Sequence, residues 1–230
     1  MPRSSSPARR ERRRPPAVRD KPRPRPHEQP RPPAVEVPSE PFRVAFVTGS
    51  TPDKWAQRFR ERSRRTLVLV PVEEADQEQV VREGRADMVL ARLPVDRDGL
   101  HCIALYDEQP VVVVALDHVV TVADEVTTEE LADEQLVLPE RSGWRPTVEQ
   151  LPWPPMEVPD AVEVAASGSG VVVLPMALAR LHHRRDVTYR PVTDLPPTQV
   201  GLVWPLDVDG PDVQTFVGVV RGRTARSSRD

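Results

Sequence analysis

The stretch Val164 to Pro175, VAASGSGVVVLP, decides the reading of this chain. It predicts the end of a helix, a Gly-rich turn, a short buried strand and a Pro that opens the next helix. Gly168-Ser169-Gly170 follows a helix and precedes a strand. That order is wrong for a phosphate-binding loop or a dinucleotide fingerprint, and wrong for a nucleophile elbow. The turn is therefore read as a tight helix-to-strand connection in which Gly supplies φ > 0.

Working outward, the same alternation recurs on both sides. RVAFV at 43–47 is β-rich and is followed by Thr48-Gly49-Ser50-Thr51. Thr51 is expected to cap a helix with Pro52 at its first position, burying Trp55, Ala56 and Phe59. TLVLV at 66–70 and DMVLARLP at 87–94 are further strands, separated by a helix from about Asp76 to Arg82 that Gly84 ends. A β-α-β-α-β order predicts parallel pairing with right-handed crossovers. CIALYDEQP and VVVVALDH follow as strands split at Gln109-Pro110. Thr127 and Glu130 form a capping box for a short helix, TTEELADE, and LVLP at 136–139 is another buried strand.

GWRPTVEQ at 143–150 is read as a short helix, whereas LPWPPMEVP at 151–159 is irregular because of its four Pro. AVEVAAS is helical, and PMALARLHHR is a helix with Leu178 and Leu181 inward. VTYRPV at 187–192 and QVGLVWP at 199–205 are strands. The helix Pro211–Val220 turns Val213, Phe216, Val217 and Val220 to one face. The fold class is α/β with two lobes joined by two crossing strands. Lobe I takes 42–109 and 197–221, and lobe II takes 112–194.

The ends differ in composition. Residues 1–40 hold eleven Pro and eleven Lys or Arg against five Asp or Glu. Pro blocks helix and central strand alike, so a disordered basic tail is expected at 1–40 and a second basic tail at 223–230. The body between them is acidic, although the whole chain carries only −3. Overall nucleic-acid binding is not indicated, but dispersed Arg in the tails could make weak non-specific phosphate contacts.

The single Cys102 excludes an internal disulfide and any zinc site needing two cysteines from one chain. It is expected to be buried and inert. His182-His183 are read as a solvated face, and Asp96–Gly99 and Asp207–Gly210 as polar turns, since neither has the Glu that completes a calcium loop. No catalytic set, metal site or cofactor is indicated. No run of eighteen apolar residues and no secretory signal stands in the sequence, so a cytoplasmic protein without membrane contact is expected.

RFRERSRRTLVLV at 58–70, GRADMVLARLP at 84–94, YDEQPVVVVALDH at 106–118, LADEQLVLP at 131–139, VAASGSGVVVLP, YRPVTD at 189–194 and VGLVWP at 200–205, in this order and spacing, resemble the effector-binding domain of LysR-type transcriptional regulators. The resemblance runs from about Phe42 to Arg221. It implies a type II periplasmic-binding-protein-like fold, a small-molecule effector between the lobes and side-by-side antiparallel homodimers. Two departures stand out. Residues 1–40 cannot form the family's winged helix-turn-helix, so a separate DNA-binding protein becomes a candidate partner. Gly143 to Val164 is short and Pro-rich, which trims lobe II.

Ligands of open α/β sheets bind beyond the carboxyl ends of strands. That selects Thr48, Ser50 and Thr51 after the first strand, Arg92 and Pro94 after the third, and Arg141, Ser142 and Gly143 after LVLP. The resemblance implies the same loops. Hydroxyls at a helix N-terminus and a bidentate Arg92 suit a carboxylate, so a small anionic metabolite is the expected ligand. The rival reading is a non-sensing interaction module that uses its basic tails and carries a vestigial cleft.

Overall fold

The computed structural model describes residues 40–222. The expectations for 1–39 and 223–230 lie outside the described residues.

In chain order the elements are β1 (Phe42–Val47), α1 (Asp53–Arg60), β2 (Leu67–Val72), α2 (Gln79–Arg82), β3 (Met88–Arg92), β4 (Leu100–Glu108), β5 (Pro110–Ala115), β6 (Leu136–Val137), α3 (Pro139–Ser142), α4 (Val158–Ala166), β7 (Val171–Pro175), α5 (Met176–Leu181), β8 (Val187–Pro191), β9 (Thr198–Pro205) and α6 (Pro211–Val220). They build two mixed sheets, ordered β2-β1-β3-β9-β4 and β6-β7-β5-β8. β1 pairs in parallel with β2 and β3, as the alternating pattern predicts, and β9 returns antiparallel between β3 and β4. The chain leaves the first sheet through Gln109, between β4 and β5. It comes back between β8 and β9.

Both sheets are sandwiched, and their strand sequences show why. Val111 to Val114 are all valine and all buried. Side chains alternate across a strand, so Val111 and Val113 pack under α4 and α5, while Val112 and Val114 join Val120, Val126 and Leu131 on the opposite face. In the first sheet Met88 and Leu90 face Ala56 and Phe59 of α1 and Phe216 of α6. Val89 and Ala91 face Val80 and Val81 of α2. Phe42 stacks on Phe59 with centroids 5.1 Å apart, and Phe216 tilts against both.

Several local expectations are corrected. Thr51 does not cap α1: Pro52 is the capping residue, and its carbonyl accepts from the Trp55 and Ala56 amides. The stretch 76–82 is split into a 3₁₀ turn at Glu74–Asp76 and the short α2. TTEELADE forms turns rather than a helix, although Glu130 Oε2 does accept from the Thr127 amide at 2.7 Å. The strand at 136–139 stops at Val137, and Pro139 opens α3. GWRPTVEQ contains no helix. Leu178 is buried, but Leu181 is 54% exposed, because α5 ends at Leu181 and its last turn leaves the sheet.

The opening turn is a helix-to-strand connection with glycine at two positions for different reasons. Gly168 has φ +75°. Gly170 has ordinary φ, but a Cβ there would stand 2.6 Å from the Gln135 carbonyl oxygen. That carbonyl accepts from the Val171 amide at 2.8 Å, which seats β7 against β6.

Candidate functional site

Between the sheets lie two adjoining cavities of about 570 and 510 Å³. Both are bordered by Glu74, Ala75, Arg92 and Arg141. The larger also has Thr48, Glu73, Glu157, Leu178 and His182 on its wall. Pro94, Glu140 and Thr198 border the smaller.

Arg92 and Glu108 end strands, whereas Glu74 stands on the 3₁₀ turn after β2 and Arg141 in α3. Arg92 is the last residue of β3 and only 3% exposed. Its backbone is clamped by Gln77, which donates Nε2 to the Arg92 carbonyl at 2.9 Å and accepts the Arg92 amide at 2.8 Å. Its guanidinium donates Nε to Glu108 Oε2 at 2.9 Å and Nη2 to the Thr48 carbonyl at 3.0 Å. Glu74 Oε2 lies 3.5 Å from Arg92 Nη1 and 2.7 Å from Arg141 Nη1. Arg141 belongs to α3 of the second lobe, so this carboxylate bridges the cleft. Leu138, which enters α3, is left-handed at φ 55°, a costly conformation for a non-glycine residue. It turns the chain so that α3 faces the first lobe.

The loop after β1 is packed hard against the other lobe. Gly49 has φ +94°. A Cβ there would lie 3.2 Å from Arg92 Nη2 and 3.2 Å from Leu178 Cδ2 of α5. Thr48 Oγ1 donates to Glu73 Oε1 at 3.0 Å.

The expected site residues divide as follows. Thr48, Arg92 and Arg141 line the larger cavity, and Arg92, Pro94 and Arg141 the smaller. Thr51 borders a third cavity of about 470 Å³, with Lys54, Trp55, Tyr106 and Arg180. Ser50 is buried, and among the described residues its hydroxyl has no hydrogen-bond partner. Ser142 Oγ folds back onto its own turn, donating to the Pro139 and Trp144 carbonyls and accepting from the Trp144 amide. Gly143 is exposed in the left-handed region. Tyr106 near Ser50 has its hydroxyl pKa pushed up, chiefly by burial.

Glu73, Glu74, Glu108, Glu157 and His182 were not selected from the sequence. The strand-end rule that chose the loops after the first and third strands applies equally to the loop after β2, where Glu73 and Glu74 stand. His182 is not on a solvated face but half-buried at the cleft. Cys102 is half-buried, and desolvation raises its thiol pKa against the opposing pull of Arg97. Among the described residues no helix is long and apolar enough to cross a membrane, and no cluster of His, Cys, Asp or Glu could hold a metal ion.

Two mixed sheets with the chain crossing twice between them, and a charged cleft at the strand ends, define a type II periplasmic-binding-protein-like architecture. Residues 36–225 match the model of the LysR substrate binding domain, and the chain belongs to that family. The Hca operon transcriptional activator HcaR of Escherichia coli (strain K12) is 28% identical over 182 residues, covering 73% of this chain and 61% of that relative. The chain thus spans about three-fifths of the relative's length. Among solved structures, the BenM effector binding domain with its effector benzoate superposes with a TM-score of 0.66 at 18% identity, covering 81% of this chain and 92% of that one. A full-length OxyR variant from Pseudomonas aeruginosa gives 0.61 at 22% identity, covering 79% and 73%. These two likenesses show the fold.

Proposed function

We propose that this chain is a cytoplasmic ligand-sensing domain of transcriptional regulation that takes a small organic anion in the cleft between its lobes. The observation that carries the reading is Arg141. It projects from the second lobe into the cleft, is 28% exposed at its side chain and already holds a carboxylate from the first lobe. A guanidinium that can reach water can exchange one carboxylate for another. Arg92 is less suited to direct exchange, because its burial and its bond to Glu108 commit it to the protein. Family membership supports sensing. The signal would leave through a partner, either a second copy of the chain or a separate DNA-binding protein. Binding can bias such a partner only if it favours one arrangement of the lobes.

The test is a thermal-shift screen of small carboxylates with the full chain and with Arg141→Ala. A true effector at a hundredfold excess over its Kd stabilises by about 2.7 kcal/mol. The variant is expected to lose that shift while keeping its own unliganded melting point within a few degrees. A shift that survives Arg141→Ala would exclude the cleft arginine as the contact.

A second reading is favoured by one observation. Both cleft arginines are already paired with internal carboxylates, Glu74 and Glu108. On that reading the cleft is vestigial and the chain is an interaction module acting through its basic tails. Absence of any stabilising carboxylate, with partner association lost on deletion of residues 1–40, would favour it.

A further inference from the structure

Glu74 occupies an unusual position for a cleft side chain. It stands on the 3₁₀ turn after β2, in the first lobe, and its Oε2 is shared between Arg141 of the second lobe and Arg92 of its own. The same residue borders both cavities, as do Ala75, Arg92 and Arg141. The charged groups around it differ in freedom. Arg92 and Glu108 are held at 3% and 4% side-chain exposure, whereas Glu74 is 36% exposed and can swing into water without desolvation.

We propose, resting on the reading that the cleft takes an organic anion, that Glu74 is a tethered stand-in for the effector's carboxylate, in a cleft whose other acids, Glu73 and Glu157, restrict the effector to monocarboxylates. The exchange is charge-neutral: one carboxylate enters beside Arg141 as another leaves. A second anionic group on the ligand would face Glu73 and Glu157, which line the larger cavity, and like charges at short range repel. Arg92 offers no surplus charge to offset it, because Glu108 takes it at 2.9 Å. An attached competitor acts at an effective concentration of millimolar order or more. Glu74 therefore sets the ligand concentration at which the cleft responds, and weakens every acid that enters it.

The experiment uses the full chain, Glu74→Gln and Glu74→Ala, titrated at constant ionic strength with benzoate as a monocarboxylate, isophthalate as a dicarboxylate and benzylamine as a matched cation. Benzoate is expected to bind both variants about tenfold tighter than the parent chain or better, because a competitor held at high effective concentration is removed. Isophthalate is expected to remain the weaker ligand in every variant, because Glu73 and Glu157 still face its second carboxylate, and benzylamine is expected to gain nothing. The gain should vanish in Glu74→Gln combined with Arg141→Ala, and should not appear in Glu73→Gln, which borders the same cavity without touching either arginine.

Benzoate binding no tighter in either Glu74 variant would overturn the proposal. So would benzylamine binding that is lost with Glu74, which would make this side chain a cation contact. An effector from the carboxylate screen that needs Arg141 but is indifferent to Glu74 would leave sensing intact and remove the stand-in. A benzoate gain in Glu74→Gln, with no carboxylate stabilising the parent chain, would keep the stand-in and remove sensing.

Discussion

Arg92 Nε donates to Glu108 Oε2 across 2.9 Å, and the two side chains are 3% and 4% exposed. One ends β3 and the other ends β4, so the pair ties the first sheet together beside the point where the chain leaves for the second lobe. Among the described residues Glu108 Oε1 has no hydrogen-bond partner. A buried pair of this kind is weak evidence of net stabilisation, but breaking it leaves a buried charge with only Glu74, at 3.5 Å, to offset it. Glu108→Ala is expected to cost about 3–5 kcal/mol. For a domain of this size that lowers the melting temperature by roughly 6 °C or more. The double replacement Arg92→Met with Glu108→Leu should recover much of the loss, and paired thermal unfolding curves check both.

Leu178 and Leu181 lie on one short helix, three residues apart, and differ in burial from 2% to 54%. Leu178→Ala removes methyl groups from a packed core and is expected to cost about 2–5 kcal/mol. Leu181→Ala should change stability by no more than about 0.5 kcal/mol. Urea denaturation of the two variants separates them. Equal losses would mean that α5 continues to pack through Leu181.

The two glycines Gly170 and Gly210 make a similar contrast. An added Cβ at Gly170 meets the Gln135 carbonyl oxygen at 2.6 Å, whereas at Gly210 it meets open space with ordinary φ. Gly170→Ala should destabilise by about 1–3 kcal/mol through forced backbone movement. Gly210→Ala should lie within about 1 kcal/mol of the parent, since restricting the unfolded chain offsets the poorer helix cap. The same denaturation series measures both.

Cys102 supplies the pH prediction. Burial raises its thiol pKa, so at neutral pH the reactive thiolate is scarcer than in a free cysteine. The rate of alkylation by iodoacetamide is expected to rise at higher pH in the folded chain than in the chain unfolded in urea. The sign is that of an acid whose neutral form is favoured by folding. Coincident pH–rate curves would show that Arg97 cancels the effect of burial.

The two-lobed α/β pattern, the parallel β1–β2–β3 group and the glycine turn before Val171 were legible in the sequence. They rest on local rules: side-chain alternation, the Gly and Pro positions that end elements, and the clustering of valines in runs too apolar for an exposed strand. The same rules overstated weak helices. TTEELADE and GWRPTVEQ have acceptable helical composition, but short helices without a packed face are not stable alone. In the folded chain their backbone groups are met by turns and by side chains such as Gln150, whose Nε2 donates to the Glu134 and Val148 carbonyls.

The site was legible as a set of loops and not as a set of contacts. Strand-end reasoning reached Thr48, Arg92 and Arg141, which the fold brings to one cleft, because a strand's direction determines where its last residue points. It could not tell that Ser142 would turn its hydroxyl inward, or that Glu74 and Glu108, 34 positions apart, would both reach Arg92. Charge pairing depends on distance in space, and distances between loops of different lobes are set by how the two sheets cross. The sequence by itself determined the strands, their alternation and the loops at their ends, since these follow from interactions a few residues long. Only the tertiary structure decided which acid meets which arginine, because that choice belongs to the packing of one lobe against the other.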